Sequence, residues 1–271
     1  MTNNLLQRSI TGIAFVAVVS GATMLSVFTF YTLLFVVNFL CLLEFYELIL
    51  PDKSKLEKYL GISAGCLIYT MFAFIFTANL SLGWYYHIIP VFLLLFVIKL
   101  FENSHREFAT LGYQLLGLVY ITLPLVMLAK MAMWNSLNYS AGLPMGFFFL
   151  LWSADTGAYF SGKAFGKHKL FERVSPKKTW EGSIGAAFFV LSVGYAISLV
   201  FDDLSAKHWM TIALIVLVFS TFGDLFESLL KRNLKIKDSG SILPGHGGVL
   251  DRFDGLFLSA PAVFFYLMLI N

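Results

Sequence analysis

The chain is a succession of long apolar runs separated by short polar breaks. Nine runs stand out, at roughly 10–28, 31–50, 60–79, 85–101, 111–133, 144–162, 183–201, 209–230 and 255–270. A helix needs about 20 mostly apolar residues to cross a bilayer. The runs are apolar all round, unlike the alternating segments of about 10 residues that build a membrane barrel. The pattern predicts an all-α, polytopic helical integral membrane protein with about nine transmembrane helices. Pro51-Asp52-Lys53 closes the second run, and Asp202, Asp203 and Lys207 mark the seventh break. Two breaks, 163–182 and 231–254, are longer and rich in Gly, Lys and Pro. The expected division is 1–140, holding spans one to five, and 141–271, a catalytic membrane region holding spans six to nine and both long loops.

Composition agrees with this class. Of 271 residues, 58% are hydrophobic and 13% charged, against about 45–50% apolar and 25% charged in soluble domains. A water-soluble enzyme, a disordered chain and a disulfide scaffold are excluded. Cys41 and Cys66 lie inside apolar runs and read as buried small hydrophobes. The first run begins near Ile10 without a small-x-small cleavage site, so it reads as a span rather than a cleaved signal.

Charge orients the spans. Cytoplasmic loops concentrate Lys and Arg. With the N-terminus inside and the C-terminus outside, only Lys130 and Lys207 of the 19 Lys and Arg fall on the outer side. Both long loops then face the cytoplasm, where nucleotides and anionic headgroups are found.

Acids inside apolar helices are costly and mark candidate sites. Asp155 lies mid-run, with Tyr159 at i+4. Glu44 and Glu47, near the end of the second run, read as structural acids that reach the interface or pair with a lysine. Asp224, Glu227, Ser228 and Lys231 share one helix face. Their ridge leads into Lys231-Arg232, Lys237-Asp238, the turn Pro244-Gly245-His246-Gly247-Gly248, and Asp251-Arg252-Phe253-Asp254. Glycines let backbone N–H groups approach an anion. Arg and Lys clamp phosphates, and carboxylates hold Mg²⁺ that bridges phosphate oxygens. Such parts suit phosphoryl or nucleotidyl transfer. Zinc is not expected, because His246 has no second Cys or His at finger spacing; it contacts a phosphate or orders the turn. In the other long loop, Ser175-Pro176-Lys177-Lys178-Thr179-Trp180-Glu181-Gly182 sets two lysines before a helix N-terminus, an anion site. Thr179 or Glu181 helps start that helix.

These motifs resemble those of the CTP-dependent phosphatidate cytidylyltransferases. The C-terminal signature of that family is matched by Ser228, Lys231-Arg232, Lys237-Asp238, Pro244, His246-Gly247-Gly248, Asp251-Arg252 and Asp254. The stretches Ser175–Gly182 and Ala154–Tyr159 are also similar to the family's. Gly255 departs from the serine that members more usually carry. The resemblance is specific over 154–254 and general elsewhere. It implies that CTP and phosphatidate give CDP-diacylglycerol and pyrophosphate at the cytoplasmic face of an inner membrane. It implies Mg²⁺ on Asp224 and Asp251, with Asp254 as a third ligand, and a monovalent cation such as K⁺ nearby. Lys231, Arg232, Lys237 and Arg252 would neutralise phosphates, and Ser175, Lys177, Lys178 and Thr179 would bind the triphosphate or lipid phosphate. Gly247 and Gly248 would bind substrate, His246 would serve in catalysis by contacting a phosphate or would order the turn, and Asp155 would complete the polar cavity. A homodimer is expected, and no nucleic-acid partner. The competing readings are a CTP-dependent polyprenol kinase, a cytidylyltransferase for ether lipids, an ion-coupled transporter using Asp155 and Asp224, and a membrane scaffold.

Overall fold

The computed structural model describes residues 2–50, 55–101, 107–134, 138–242 and 247–270. It contains ten α-helices among the described residues: α1 (Thr2–Leu25), α2 (Val27–Ile49), α3 (Lys55–Thr77), α4 (Ile88–Lys99), α5 (Glu107–Gly117), α6 (Leu123–Met131), α7 (Gly142–Phe165), α8 (Trp180–Ser198), α9 (Ala206–Asn233) and α10 (Leu250–Ile270). A 3-10 turn, Leu82–His87, leads into α4, and a π-turn, Leu118–Thr122, joins α5 to α6. Counting α5, the π-turn and α6 as one rod gives nine rods among the described residues, each over one of the nine apolar runs.

Six of them are long and apolar enough to cross a membrane: Val27–Ile49, Lys55–Thr77, Phe108–Met131, Trp180–Ser198, Ala206–Asn233 and Leu250–Ile270. The first and fourth runs form shorter apolar helices, Ser9–Leu25 and Gly83–Lys99. α7 has 24 residues, but its Ser, Asp, Thr and Gly positions dilute its hydropathy. The expectation of a purely helical chain needs one correction. Lys169–Phe171 (β1) and Ser175–Thr179 (β2) pair as an antiparallel hairpin, with Lys169 opposite Thr179 and Phe171 opposite Ser175.

The chain forms two compact units. One comprises Met1–Leu137 with Asp238–Arg252, and the other Asn138–Lys237 with Phe253–Asn271.

In the first unit a capping box ends the α1–α2 continuity. Ser26 is extended; its hydroxyl accepts from the Thr29 N–H (3.2 Å), and the Thr29 hydroxyl accepts from the Ser26 N–H (3.0 Å). Pro124 accounts for the π-turn. It has no N–H for the Tyr120 carbonyl, and its ring crowds that carbonyl, so the helix widens by a residue. The interior is held by close packing. The Tyr46 side chain lies in a slot between Gly61 and Gly117, where an added Cβ would stand 2.7 Å from the ring and 2.4 Å from the hydroxyl, respectively. Its hydroxyl donates to the Gln114 carbonyl (2.7 Å), and the Gln114 amide donates to the Glu57 carbonyl (2.7 Å). Small residues and such bonds carry helix association where lipid replaces water. Lys58 pairs with Glu47 at 2.9 Å, as expected of that acid.

Glu44 departs from the expectation of an interfacial or lysine-paired acid. It is buried, and its carboxylate accepts from the Val249 N–H (2.9 Å), the Leu250 N–H (2.8 Å) and the Ser239 hydroxyl (3.3 Å). It caps the N-terminus of α10 from a helix about 200 residues earlier in the chain. The buried N–H groups at that helix start have no partner within the helix and need an acceptor, which explains why this acid is buried.

In the second unit α7 and α8 make the most extensive contact. Trp209 of α9 is fully buried against Gly146 and Gly194. Outside α7, the Ser140 hydroxyl donates to Asp203 (2.5 Å), tying the start of α7 to the turn before α9.

Tyr46→Phe should lower stability by about 1 kcal/mol, the net value of one hydrogen bond. Gly117→Val should cost more, about 1–3 kcal/mol, by forcing a side chain into the ring. Thermal midpoints in detergent compare the two; equal losses would show that the hydrogen bond rather than the slot sets this packing.

Candidate active site

A polar cavity of about 230 Å³ lies within the second unit, walled by α7, β2, the first turn of α8, and α9. The cavity depends on the close approach of α7 and α8. A Cβ on Gly157 would stand 3.0 Å from the Ala186 Cα, and one on Gly182 3.0 Å from the Ala158 carbonyl oxygen. Backbones this near leave room only for hydrogen.

From α7 come Asp155 and Tyr159, one turn apart on the cavity wall. From β2 come Lys177, exposed, and Lys178, half-buried. Thr179 ends the strand and starts the helix: its backbone is extended, and its hydroxyl accepts from the Gly182 N–H at 3.2 Å. Of the two residues expected to start α8, Thr179 is the cap. Glu181 instead accepts from the Lys167 N–H (3.0 Å) and His168 N–H (3.1 Å), and meets His168 Nδ1 at 2.5 Å. The first turn of α8, with Gly182 and Ser183, lines the cavity, so the positive end of the helix dipole acts there beside two lysines.

Across the cavity α9 presents Ser220, Thr221 and Asp224. Lys178 Nζ lies 2.6 Å from Asp224 Oδ2, and the Ser228 hydroxyl donates to Asp224 Oδ1 (3.2 Å). One turn on, Glu227 is fully buried and forms an ion pair with Lys231. The ridge expected from helical spacing is therefore present.

Asp254 joins it from α10. One carboxylate oxygen from each of Asp224, Glu227 and Asp254 lies within 4.8 Å of the other two, the one such group of three acid, His or Cys ligands among the described residues. Gly223 makes this possible, since a Cβ there would stand 2.4 Å from the Asp254 carbonyl oxygen. Gly255, the departure from the family signature, is close-packed too: its Cβ would stand 3.1 Å from the Ser220 Cβ. Three hard oxygen donors gathered this tightly suit a divalent cation, with water completing the coordination.

The first unit holds Ser239, Gly247, Gly248 and Asp251. Asp251 Oδ2 accepts from the Ser239 N–H (2.9 Å), the Ser239 hydroxyl (3.0 Å) and the Gly248 N–H (2.9 Å). Gly247 has φ +84°, which favours glycine, and a Cβ there would stand 2.8 Å from Asp251 Oδ2. Arg252 is exposed in the first turn of α10. His246 and Pro244 lie outside the described residues.

The structure thus gathers Asp155, Lys177, Lys178, Thr179 and Asp224 around one cavity and adds Asp254 to Asp224. Ser175, at the far end of β2, is half-buried, while Arg232 and Lys237 are exposed. Sequence reasoning placed Glu227 on the ridge but gave it no ligand role. Sequence reasoning also missed the hydroxyls of Ser183, Ser220 and Thr221; Ser220 and Thr221 lie four and three residues before Asp224, a spacing that could have found them.

The cytidylyltransferase family model matches residues 6–270. A phosphatidate cytidylyltransferase of Rickettsia felis is 33% identical over 224 residues, 79% of this chain and 93% of that one. Its counterpart in Rickettsia prowazekii is 34% identical over 220 residues, 78% and 92% of the two chains. A Staphylococcus aureus phosphatidate cytidylyltransferase is 49% identical over 116 residues, 42% of this chain and 44% of that one.

Glu227→Gln and Asp254→Asn should each weaken binding of Mn²⁺, a spectroscopic probe of divalent sites, by about tenfold or more, in line with loss of a charged ligand. Electron paramagnetic resonance titration in detergent measures this; wild-type affinity in both variants would remove the cluster as a metal site.

Proposed function

The chain belongs to the cytidylyltransferase family, and from that premise we propose a phosphatidate cytidylyltransferase that makes CDP-diacylglycerol for phospholipid synthesis. It is a nucleotidyltransferase embedded in a membrane. A phosphate oxygen of phosphatidate attacks the α-phosphorus of CTP in line. The new P–O bond completes the diphosphate of CDP-diacylglycerol, and the bond to the β-phosphate breaks to release pyrophosphate.

The observation that carries this reading is the facing of two charge systems across one cavity, Lys177 and Lys178 at the α8 N-terminus against Asp224 on α9. The nucleophile is already anionic at neutral pH, so no strong base is required. The difficulty is to bring two polyanions together, and catalysis rests on positioning and charge neutralisation. Lys177, Lys178 and the α8 N–H groups hold phosphate oxygens, and Thr179 fixes the helix start that presents those N–H groups. Asp224, Glu227 and Asp254 would hold Mg²⁺, which would supply positive charge to neutralise the phosphates; Asp251 is kept as a ligand on the signature alone. Arg232, Lys237 and Arg252 supply further positive charge, and Lys231 balances Glu227. Asp155 closes the polar wall of the cavity. The nine-span, N-inside topology, the cytoplasmic-facing site in a bacterial inner membrane, the K⁺ and the homodimer belong to the same proposal. They are supported by the distribution of Lys and Arg and by the family resemblance.

The test uses purified protein in detergent with Mg²⁺, phosphatidate and CTP labelled on the α-phosphorus. Label should enter the lipid phase with release of pyrophosphate, and EDTA should stop it. Label transferred only from the γ-position, to a polyprenol, would replace this reading by a kinase. Asp224→Asn should lower kcat by about a thousandfold, the scale of removing a transition-state charge partner, with the protein still in the membrane. Lys178→Ala should mainly raise KM for one anionic substrate, by about tenfold; unchanged KM for both would leave this lysine a role in topology alone.

A further inference from the structure

The β1–β2 hairpin carries Lys177 and Lys178 into the cavity, yet it has only two strands. An isolated two-stranded hairpin is marginally stable, so something must fix its position. Register pairs Lys169 with Thr179. One residue beyond, the Trp180 N–H donates to the His168 carbonyl (3.0 Å). Glu181 then grips the same point from its side chain, accepting the Lys167 and His168 N–H groups and meeting the His168 ring. The carboxylate stands in the first turn of α8 and also accepts from its own backbone N–H, but its other partners lie outside that helix. It takes up the backbone donors where the chain returns from α7, and so ties the entry of β1 to the exit of β2.

Resting on the function proposed above, we infer that Glu181 is a positioning residue for substrate phosphate, acting through Lys177 and Lys178 rather than by touching substrate. Glu181 fixes the open end of the hairpin, two to three residues from Lys178 and Lys177. Without this grip the strand frays from that end and the lysines lose their fixed place on the cavity wall. The charge matters because a carboxylate accepts two backbone N–H groups and a ring N–H at once, which an amide oxygen does less well.

The test has one arm that needs no turnover. Hydrogen exchange of the full-length protein in detergent should show faster exchange across residues 167–179 in Glu181→Ala than in wild type, with α9 unchanged. In the second arm, Glu181→Ala should raise KM by about tenfold for the substrate whose KM rises in Lys178→Ala, with kcat within about twofold. Glu181→Gln should recover part of that loss, since it keeps one acceptor oxygen. In a Lys177→Ala/Lys178→Ala background, Glu181→Ala should raise KM no further, as expected of residues acting as one unit. Unchanged exchange at 167–179, or a KM effect that persists in full without the two lysines, would overturn the inference. Absence of cytidylyl transfer by the wild-type protein would instead overturn the proposed function, leaving the exchange result to stand separately.

Discussion

Contact between the backbones of α7 and α8, at Gly157 and Gly182, is the constraint from which the cavity follows. In a bilayer, lipid tails are as apolar as leucine side chains, so burial gives little drive to bring helices together. Close van der Waals contact must supply it. Where the two helices meet without side chains between them, Asp155 and Tyr159 on one come to share a wall with Thr179 and Ser183 beside the other. The same device recurs where Gly223 of α9 meets the Asp254 carbonyl. A polar cavity among apolar helices is thus lined by the side chains that flank glycine contacts.

Charge is balanced locally within that cavity. Lys178 neutralises Asp224 at 2.6 Å, and Lys231 neutralises Glu227. The first pair stands near water, with the side chains of Lys178 and Asp224 26% and 36% exposed, whereas Glu227 is fully buried beside Lys231. On the proposed function, a phosphate arriving with its counter-cation would offer the lysine an anion and the aspartate a cation, so each could exchange partners with small change in net charge.

The helices were legible in the sequence because a bilayer imposes length and apolarity on anything that spans it. The ridge of Asp224, Glu227, Ser228 and Lys231 was legible for a similar reason, since helical spacing alone puts them on one face. Legibility failed where structure depended on distant partners. Glu44 looked like an interfacial acid, since its acceptors' donors, Val249 and Leu250, lie 205 and 206 residues away. The hairpin escaped notice because Lys169–Thr179 shows no clean alternation, and its fixed end depends on Glu181 rather than on strand propensity. Glu227 shared the ridge in sequence, but its place beside Asp254 depended on the missing side chain of Gly223.

Glu44 also sets an order of events. The N–H groups that it accepts belong to the start of the last helix, and the Ser239 hydroxyl that it accepts belongs to the loop before it. While the chain is being made, this acid sits in a helix completed early, and its donors arrive only when nearly all of the protein has emerged. Until then Glu44 lacks the donors of Ser239, Val249 and Leu250. A nascent or C-terminally shortened chain can therefore form α2 and still leave this acid without its acceptor role.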